Sequence, residues 1–311
     1  MLLTTAFAAA LLTSPMSPPN PLLSGTVQQT GAVVFERRTI PDGDIPVEIG
    51  VWRSAGASDA PRPLVVISHG NGGDFRGHED TARALAAAGF VVAALTHTGD
   101  NWRDQSGATD VARRPRQLSL LIETMVAEGG IDPERIGAFG FSAGGFTVLT
   151  AAGGEPDLTR VADHCHAHPD FYDCRLIASA GLPAASSPPV WTHNPRIRAV
   201  VAAAPALGFT FTPNGLKGVT QPVQLWQAED DRILPSPAYV EPVRGALPTS
   251  PEFHLEPGAG HFDFLPPCRP EVLASAPMIC VSASDFDRAA FHDRFNAEVV
   301  RFFQRTLSDA R

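Results

Sequence analysis

Ser142, Asp231 and His261 are the residues of this 311-residue chain whose types and settings could run nucleophilic chemistry. A serine hydroxyl is a weak nucleophile at its own pKa, so it needs a base within hydrogen-bond reach and a third group to orient that base. Ser142 stands in Gly140-Phe141-Ser142-Ala143-Gly144-Gly145, between the apolar run Ile136–Phe141, opened by Asp132-Pro133, and the helix-tolerant run Phe146–Ala152. A Gly-x-Ser-x-Gly between a strand and a helix puts the serine on a strained turn, flanked by glycines because side chains there would meet neighbouring backbone. His261 follows the last expected strand in Gly-Ala-Gly-His-Phe-Asp-Phe, a glycine loop that can bring an imidazole over a sheet edge. Asp231, in Asp230-Asp231-Arg232-Ile233-Leu234-Pro235, ends the strand before it. Each is commonplace alone; jointly, at strand ends and in the order Ser, Asp, His, they read as a nucleophile, an acid and a base. Asp230 is the neighbouring alternative to Asp231, which is preferred for the phase of Asp-Arg-Ile-Leu-Pro.

A tetrahedral intermediate also needs donors for its oxyanion, and backbone N–H groups serve where side chains are small. Ala143, directly after the serine, is one; Asn71, in His69-Gly70-Asn71-Gly72-Gly73, is the other. His69 then reads as structural rather than as a second base, and His97 as a pocket-wall or structural histidine. Trp102, Phe141, Trp191 and Phe262 are candidates for pocket lining, with core packing an equal explanation. His164-Cys165-His166-Ala167-His168 fits no standard zinc spacing, so no metal is expected. No dinucleotide fingerprint or P-loop is present, and no cofactor is expected.

The elements that must position these groups follow from periodicity. Val27–Thr39 and Ile45–Ser54 are β-rich runs around Pro41-Asp42-Gly43-Asp44, predicting an antiparallel hairpin. Buried strands at 64–68 and 90–95, helices at 78–88 and 116–128, and the strand before Ser142 alternate as in a parallel sheet. Strands at 198–204, 223–227 and 252–256 resume the pattern. The Pro-, Ala-, His- and Ser-rich stretch Gly153–Pro195 interrupts it and is too long for an ordinary connection, so it is expected to form a cap or lid. Phe286, Phe291, Phe295, Val299, Phe302 and Phe303 fall near one face of a C-terminal helix, as core packing. The chain thus reads as one doubly wound α/β domain, residues 26–311, behind a leader over residues 1–25.

That leader is apolar over Leu2–Leu12 but has no basic residue before it, so it reads as a signal peptide or as a disordered tail. The four cysteines fall into two local pairs, Cys165 with Cys174 and Cys268 with Cys280. Two disulfides and an export leader favour a periplasmic or secreted protein, with a cytoplasmic enzyme carrying four thiols as the alternative. A net charge of -9 with no basic stripe argues against nucleic acid, and no apolar run reaches the roughly 20 residues that would cross a bilayer.

Taken together, the Ser68–Gly73 loop, Ala87–Ala93, Gly-Phe-Ser-Ala-Gly-Gly, the Asp231 loop and Gly-Ala-Gly-His-Phe-Asp-Phe resemble α/β-hydrolases. The resemblance is nearest to the dienelactone hydrolases, akin to platelet-activating-factor acetylhydrolases, and covers about Val27 to Phe303. It implies an α/β-hydrolase fold, Ser142 as nucleophile, Asp231 and His261 as acid and base, and Asn71 and Ala143 as oxyanion donors. Dienelactone hydrolases use cysteine at the elbow, so Ser142 points instead to ordinary carboxylic esters. The expected activity is a cofactor-independent serine esterase acting on a small-molecule ester. Alternatives are a polyester or lipid-ester hydrolase with the same groups, a peptidase or amidase, and a non-catalytic binding protein of this fold.

Overall fold

A computed structural model describes residues 27–30, 33–56, 60–181 and 189–308; the leader expected at 1–25 lies outside the described residues. The elements run β1 (Val27–Thr30), β2 (Val33–Asp42), β3 (Ile45–Ser54), β4 (Arg62–Ser68), α1 (Glu79–Ala87), β5 (Val91–Leu95), α2 (Arg113–Ala127), β6 (Ile131–Phe141) and α3 (Ala143–Ala151). They continue as α4 (Arg160–Ala167), α5 (Tyr172–Ala180), β7 (Ile197–Ala203), α6 (Pro213–Leu216), β8 (Val223–Ala228), α7 (Val240–Ala246), β9 (Glu252–Glu256), α8 (Pro270–Ser275) and α9 (Arg288–Thr306). All nine strands form one sheet in the order β1-β2-β3-β5-β4-β6-β7-β8-β9. The pairs among β1, β2, β3 and β5 are antiparallel and the rest are parallel.

The expected hairpin is present with a tighter turn than the sequence suggests. Pro41 and Asp42 are the last residues of β2, paired with Pro46 and Ile45, so the reversal falls on Gly43-Asp44, with Gly43 at φ 61°. Val27–Thr30 forms a separate strand rather than the start of β2.

Both faces of the sheet are covered, which is why β4 to β8 read as near-continuous apolar runs. One face packs on α2, α3 and the α6–α7 region, with Leu118, Leu121, Ile122, Phe146 and Leu149 buried against Val66, Ala138 and Val200. The other packs on α1 and α9, where Phe291, Phe295, Val299, Phe302 and Phe303 meet Val65, Phe139 and Val201. Each such fully buried ring contributes about 1.5–3 kcal/mol. Asp287 caps α9 by accepting from the Ala290 N–H at 3.0 Å. The stretch expected to form a cap holds α4 and α5, joined by the Cys165–Cys174 disulfide. A second disulfide, Cys268–Cys280, closes the loop that contains α8.

Candidate active site

Ser142 sits between the last residue of β6 and the first of α3, at φ 56° and ψ -119°, a left-handed conformation that costs a residue with a β-carbon free energy. The turn closes because its glycines are bare. A β-carbon on Gly140 would lie 2.0 Å from the Gly144 carbonyl oxygen, and one on Gly144 would lie 1.9 Å from that of Ser68. The Ser142 N–H donates to Ala203 O at 2.9 Å, and its own carbonyl accepts from Ala206 and Phe146. The Ser142 position is therefore fixed by backbone on both sides.

His261 and Asp231 converge on it from the ends of β9 and β8. His261 Nε2 is 3.0 Å from Ser142 Oγ, and Nδ1 is 2.6 Å from Asp231 Oδ2. A carboxylate accepts only, so Nδ1 carries the proton and Nε2 is left to accept from the serine hydroxyl. Asp231 is held by its other oxygen, which accepts from the Ile233 and Leu234 N–H groups at 2.9 and 2.7 Å. Both His261 and Asp231 are buried, whereas Asp230 is exposed and its backbone bonds to Ala259. The His261 loop is anchored from below. Asp263 accepts from Gly260 N at 2.8 Å, from Arg288 Nε at 2.9 Å and from Ser282 Oγ at 2.5 Å, and His292 Nε2 donates to Asp263 O at 2.9 Å.

Asn71 and Ala143 line one cavity together with Ser142. Ala143 opens α3, so its N–H has no partner one turn back. The Asn71 side chain is fully engaged: Nδ2 donates to Asp100 Oδ1 at 2.7 Å, and Oδ1 accepts from Tyr172 at 2.5 Å. Asp100 Oδ1 also accepts from Gly72 N at 3.0 Å. Behind this loop lies a buried ion pair that the sequence reading did not single out. Arg114 donates to Asp100, to the His69 carbonyl and, at 3.0 Å, to Thr147 of α3, so one guanidinium ties the Asn71 loop to the helix after Ser142. A signal was present. Arg114 falls in the same helical stripe as Leu118, Leu121, Ile122 and Met125, where an arginine is out of place unless paired.

His69 and His97 are buried outside the cavity with both ring nitrogens engaged. His69 Nδ1 donates to Gly70 O at 2.6 Å and Nε2 accepts from His97 N at 3.0 Å; His97 bridges Ser68 and Gln117. Burial, with Arg114 nearby, pushes the pKa of His69 down to about 3 and that of His97 well below the usual imidazole range. Both stay neutral at neutral pH.

The cavity is walled by Val111, Leu158, Val161, Leu176, Ile177 and Leu234. Of the two readings the sequence leaves open for Trp102, Phe141, Trp191 and Phe262, pocket lining fails, since none of the four lines this cavity. Trp102 is 62% exposed, Trp191 packs on Phe146, and Phe141 and Phe262 pack on the His261 ring. Aliphatic residues of the two cap helices take that place instead. In the same helices, Cys165 and Cys174 are bonded to each other, leaving no thiolate beside His164 for a metal.

The profile of the Prolyl oligopeptidase family matches residues 75–163, a stretch that contains the elbow. "Putative esterase NocK" of Nocardia uniformis subsp. tsuyamanensis is 28% identical over 171 residues, 49% of this chain and 50% of that protein. The chain therefore spans about half the length of this curated relative. Among solved structures, a dienelactone hydrolase so titled ("Putative Dienelactone Hydrolase") from Klebsiella pneumoniae subsp. pneumoniae superposes with a TM-score of 0.55 at 16% identity, over 88% of this chain and 100% of that one. A cold-adapted esterase from an Arctic intertidal metagenomic library superposes with a TM-score of 0.50 at 17% identity, over 82% and 95%. The sheet order and the likeness to these solved structures together define the α/β-hydrolase fold. Within that fold the superposed structure titled as a dienelactone hydrolase is matched over its whole length.

Proposed function

We propose that the protein is a serine esterase that cleaves short carboxylic esters through an acyl-enzyme. The observation that carries this reading is the unbroken relay from Asp231 through His261 to Ser142, at 2.6 and 3.0 Å, on the floor of an apolar cavity. His261 takes the Ser142 proton as Oγ attacks the ester carbonyl, and returns it to the leaving alcohol. Water, deprotonated by the same imidazole, then releases the acid. Asp231 keeps Nδ1 protonated and stabilises the imidazolium. The N–H groups of Asn71 and Ala143 receive the oxyanion, each lowering the barrier by on the order of 3 kcal/mol.

The cavity supports the choice of short esters. Its volume is about 60 Å³, against the roughly 10–15 Å³ that one water requires on the same measure, so it takes an arm of a few heavy atoms. The two disulfides support a periplasmic or secreted location, since such bonds persist in oxidising compartments. No helix among the described residues is long and apolar enough to cross a membrane. The chain is expected to release p-nitrophenol from p-nitrophenyl acetate and butyrate, and Ser142→Ala to lower kcat by about 10⁴-fold or more. Activity surviving in that variant would refute the assignment.

A further inference from the structure

Asn71 lies in the loop Gly70-Asn71-Gly72-Gly73, whose three glycines give the backbone little stiffness of its own. The loop runs close against the elbow: a β-carbon on Gly70 would lie 3.3 Å from Ser142 Cβ. The Asn71 N–H donates to no group among the described residues, which leaves it available to an oxyanion. What holds Asn71 is its side chain, and the two ends of the amide go to different parts of the molecule. Nδ2 donates to Asp100 Oδ1 at 2.7 Å on the core side, where Arg114 fixes the carboxylate. A carboxylate only accepts, so the amide cannot be turned round and Oδ1 must face the cap. There it accepts from Tyr172 Oη at 2.5 Å. Burial, with the Asp100 carboxylate nearby, raises the pKa of this phenol, so it stays a donor. Among the described residues no other hydrogen bond joins the stretch 153–195 to this loop.

The Tyr172 bond is a weak way to hold a fold together. The residue lines the cavity and is 36% exposed, so water competes for its hydroxyl. The support behind it is firm, because α5 is tied to α4 by the disulfide and to Tyr239 through Asp173. We propose that Tyr172 is a positioning residue: its hydroxyl fixes the rotation of Asn71 in the glycine loop and so aims the Asn71 N–H at the oxyanion. Asp100 alone is a single tether about which the amide can turn; with Tyr172 the amide is held at both ends. This rests on the esterase reading above, in which Asn71 and Ala143 receive the oxyanion. The effect falls on the tetrahedral state, where the charge has developed, and not on the bound ester.

Tyr172→Phe keeps the ring in the cavity wall and removes only the hydroxyl. With the full chain and p-nitrophenyl acetate, kcat is expected to fall about 5- to 30-fold, less than the hundredfold or more for losing a whole oxyanion donor. KM should change by less than about twofold, since ground-state binding is untouched. A trifluoromethyl ketone, whose adduct with Ser142 carries the oxyanion, should bind the variant more weakly by about the factor lost from kcat/KM. The second test is a double-mutant cycle. Asn71→Ala keeps the N–H and removes the amide, so adding Tyr172→Phe to it should change kcat by less than about twofold. A kcat in Tyr172→Phe within twofold of wild type would overturn the proposal and leave the esterase reading intact. So would an equal loss with and without the Asn71 side chain, which would put the hydroxyl on the substrate instead. A loss confined to KM, with inhibitor affinity unchanged, would make Tyr172 a wall contact only and overturn the proposal as well. Should Asn71→Ala not fold, the inhibitor comparison in Tyr172→Phe decides alone. Wild-type protein that turns over no ester would instead sink the esterase reading, and this proposal with it.

Discussion

The two loops that carry Asn71 and His261 are each tied down by a buried arginine–aspartate pair, Arg114 with Asp100 and Arg288 with Asp263. The α4–α5 hairpin that walls the cavity is held differently, by a disulfide and by the hydroxyls of Tyr239 and Tyr172. On the proposed esterase reading the difference follows from what each region would do. Groups that meet developing charge must be fixed to within a fraction of an ångström, and a buried guanidinium with several acceptors does that at a desolvation cost. Wall side chains that only bound the cavity need no more than a stable surface. The loops sit on sheet ends inside the core; the cap is an excursion with few buried residues of its own, and a covalent bond replaces the core it lacks.

The comparison breaks most visibly at Arg114. Arg114→Met leaves Asp100 charged and buried, and is expected to cost about 3–5 kcal/mol in chemical denaturation. Where the variant still folds, kcat should fall about 100-fold with a smaller change in KM, because the Asn71 donor loses its anchor. Arg114→Lys should recover part of both, since an ammonium cannot bridge Asp100, His69 and Thr147 at once. A kcat loss in Arg114→Met no larger than its stability loss explains, with Arg114→Lys no better, would make the pair structural only.

Acid should act on the sheet side. His69 and His78 are buried with pKa values lowered to about 3 and about 4, mainly by desolvation, and His78 has both ring nitrogens unpartnered among the described residues. Unfolding returns each to about 6.5, so below that pH the unfolded chain binds more protons than the folded one. Their contribution is complete above about pH 6.5 and is lost as pH falls toward 4, at up to about 1.4 kcal/mol per pH unit for each histidine. Melting temperature measured from pH 8 to 4 should drop across that window, and His78→Phe should flatten the drop. A flat profile between pH 6.5 and 4.5 would contradict the assignment of neutral buried histidines.

Removing sulfur should act on the cap. With the paired positions nine apart in sequence, loss of the Cys165–Cys174 bond in a double serine variant is expected to cost about 2–3 kcal/mol. Amide exchange should rise over residues 160–180 and stay slow over 66–72. Equal acceleration in both segments would show that the two regions unfold together and that the contrast between them is not physical.

Much of the geometry around Ser142 was legible because its constraints are local. A strained elbow demands glycines at fixed offsets from Ser142, and parallel strands demand continuous apolar runs, so Ile136–Gly145 and the later strands could be read without any contact information. Asp231 and His261 followed from lying at strand ends. What was not legible depends on pairs distant in sequence. Arg114 stands out in its apolar stripe, but nothing marks Asp100 as its partner until the fold buries the two together, and Tyr172 reaches Asn71 across 101 residues. The cavity wall was left open for the same reason. Of the aromatics near the motifs in sequence, Phe141 packs in the core, Trp191 and Phe262 are half-buried against Phe146 and His261, and Trp102 lies at the surface, while Leu158, Val161, Leu176 and Ile177 come in from a stretch whose composition signals only an excursion.

The central claim is that Ser142, activated by His261, forms the covalent intermediate. Treating the full chain with a fluorophosphonate and mapping the adduct by peptide mass spectrometry tests it most directly. The adduct is expected on Ser142 alone, forming at a rate that falls by about 10³-fold or more in His261→Ala. An adduct on another residue, or labelling of Ser142 at an undiminished rate without His261, would contradict it.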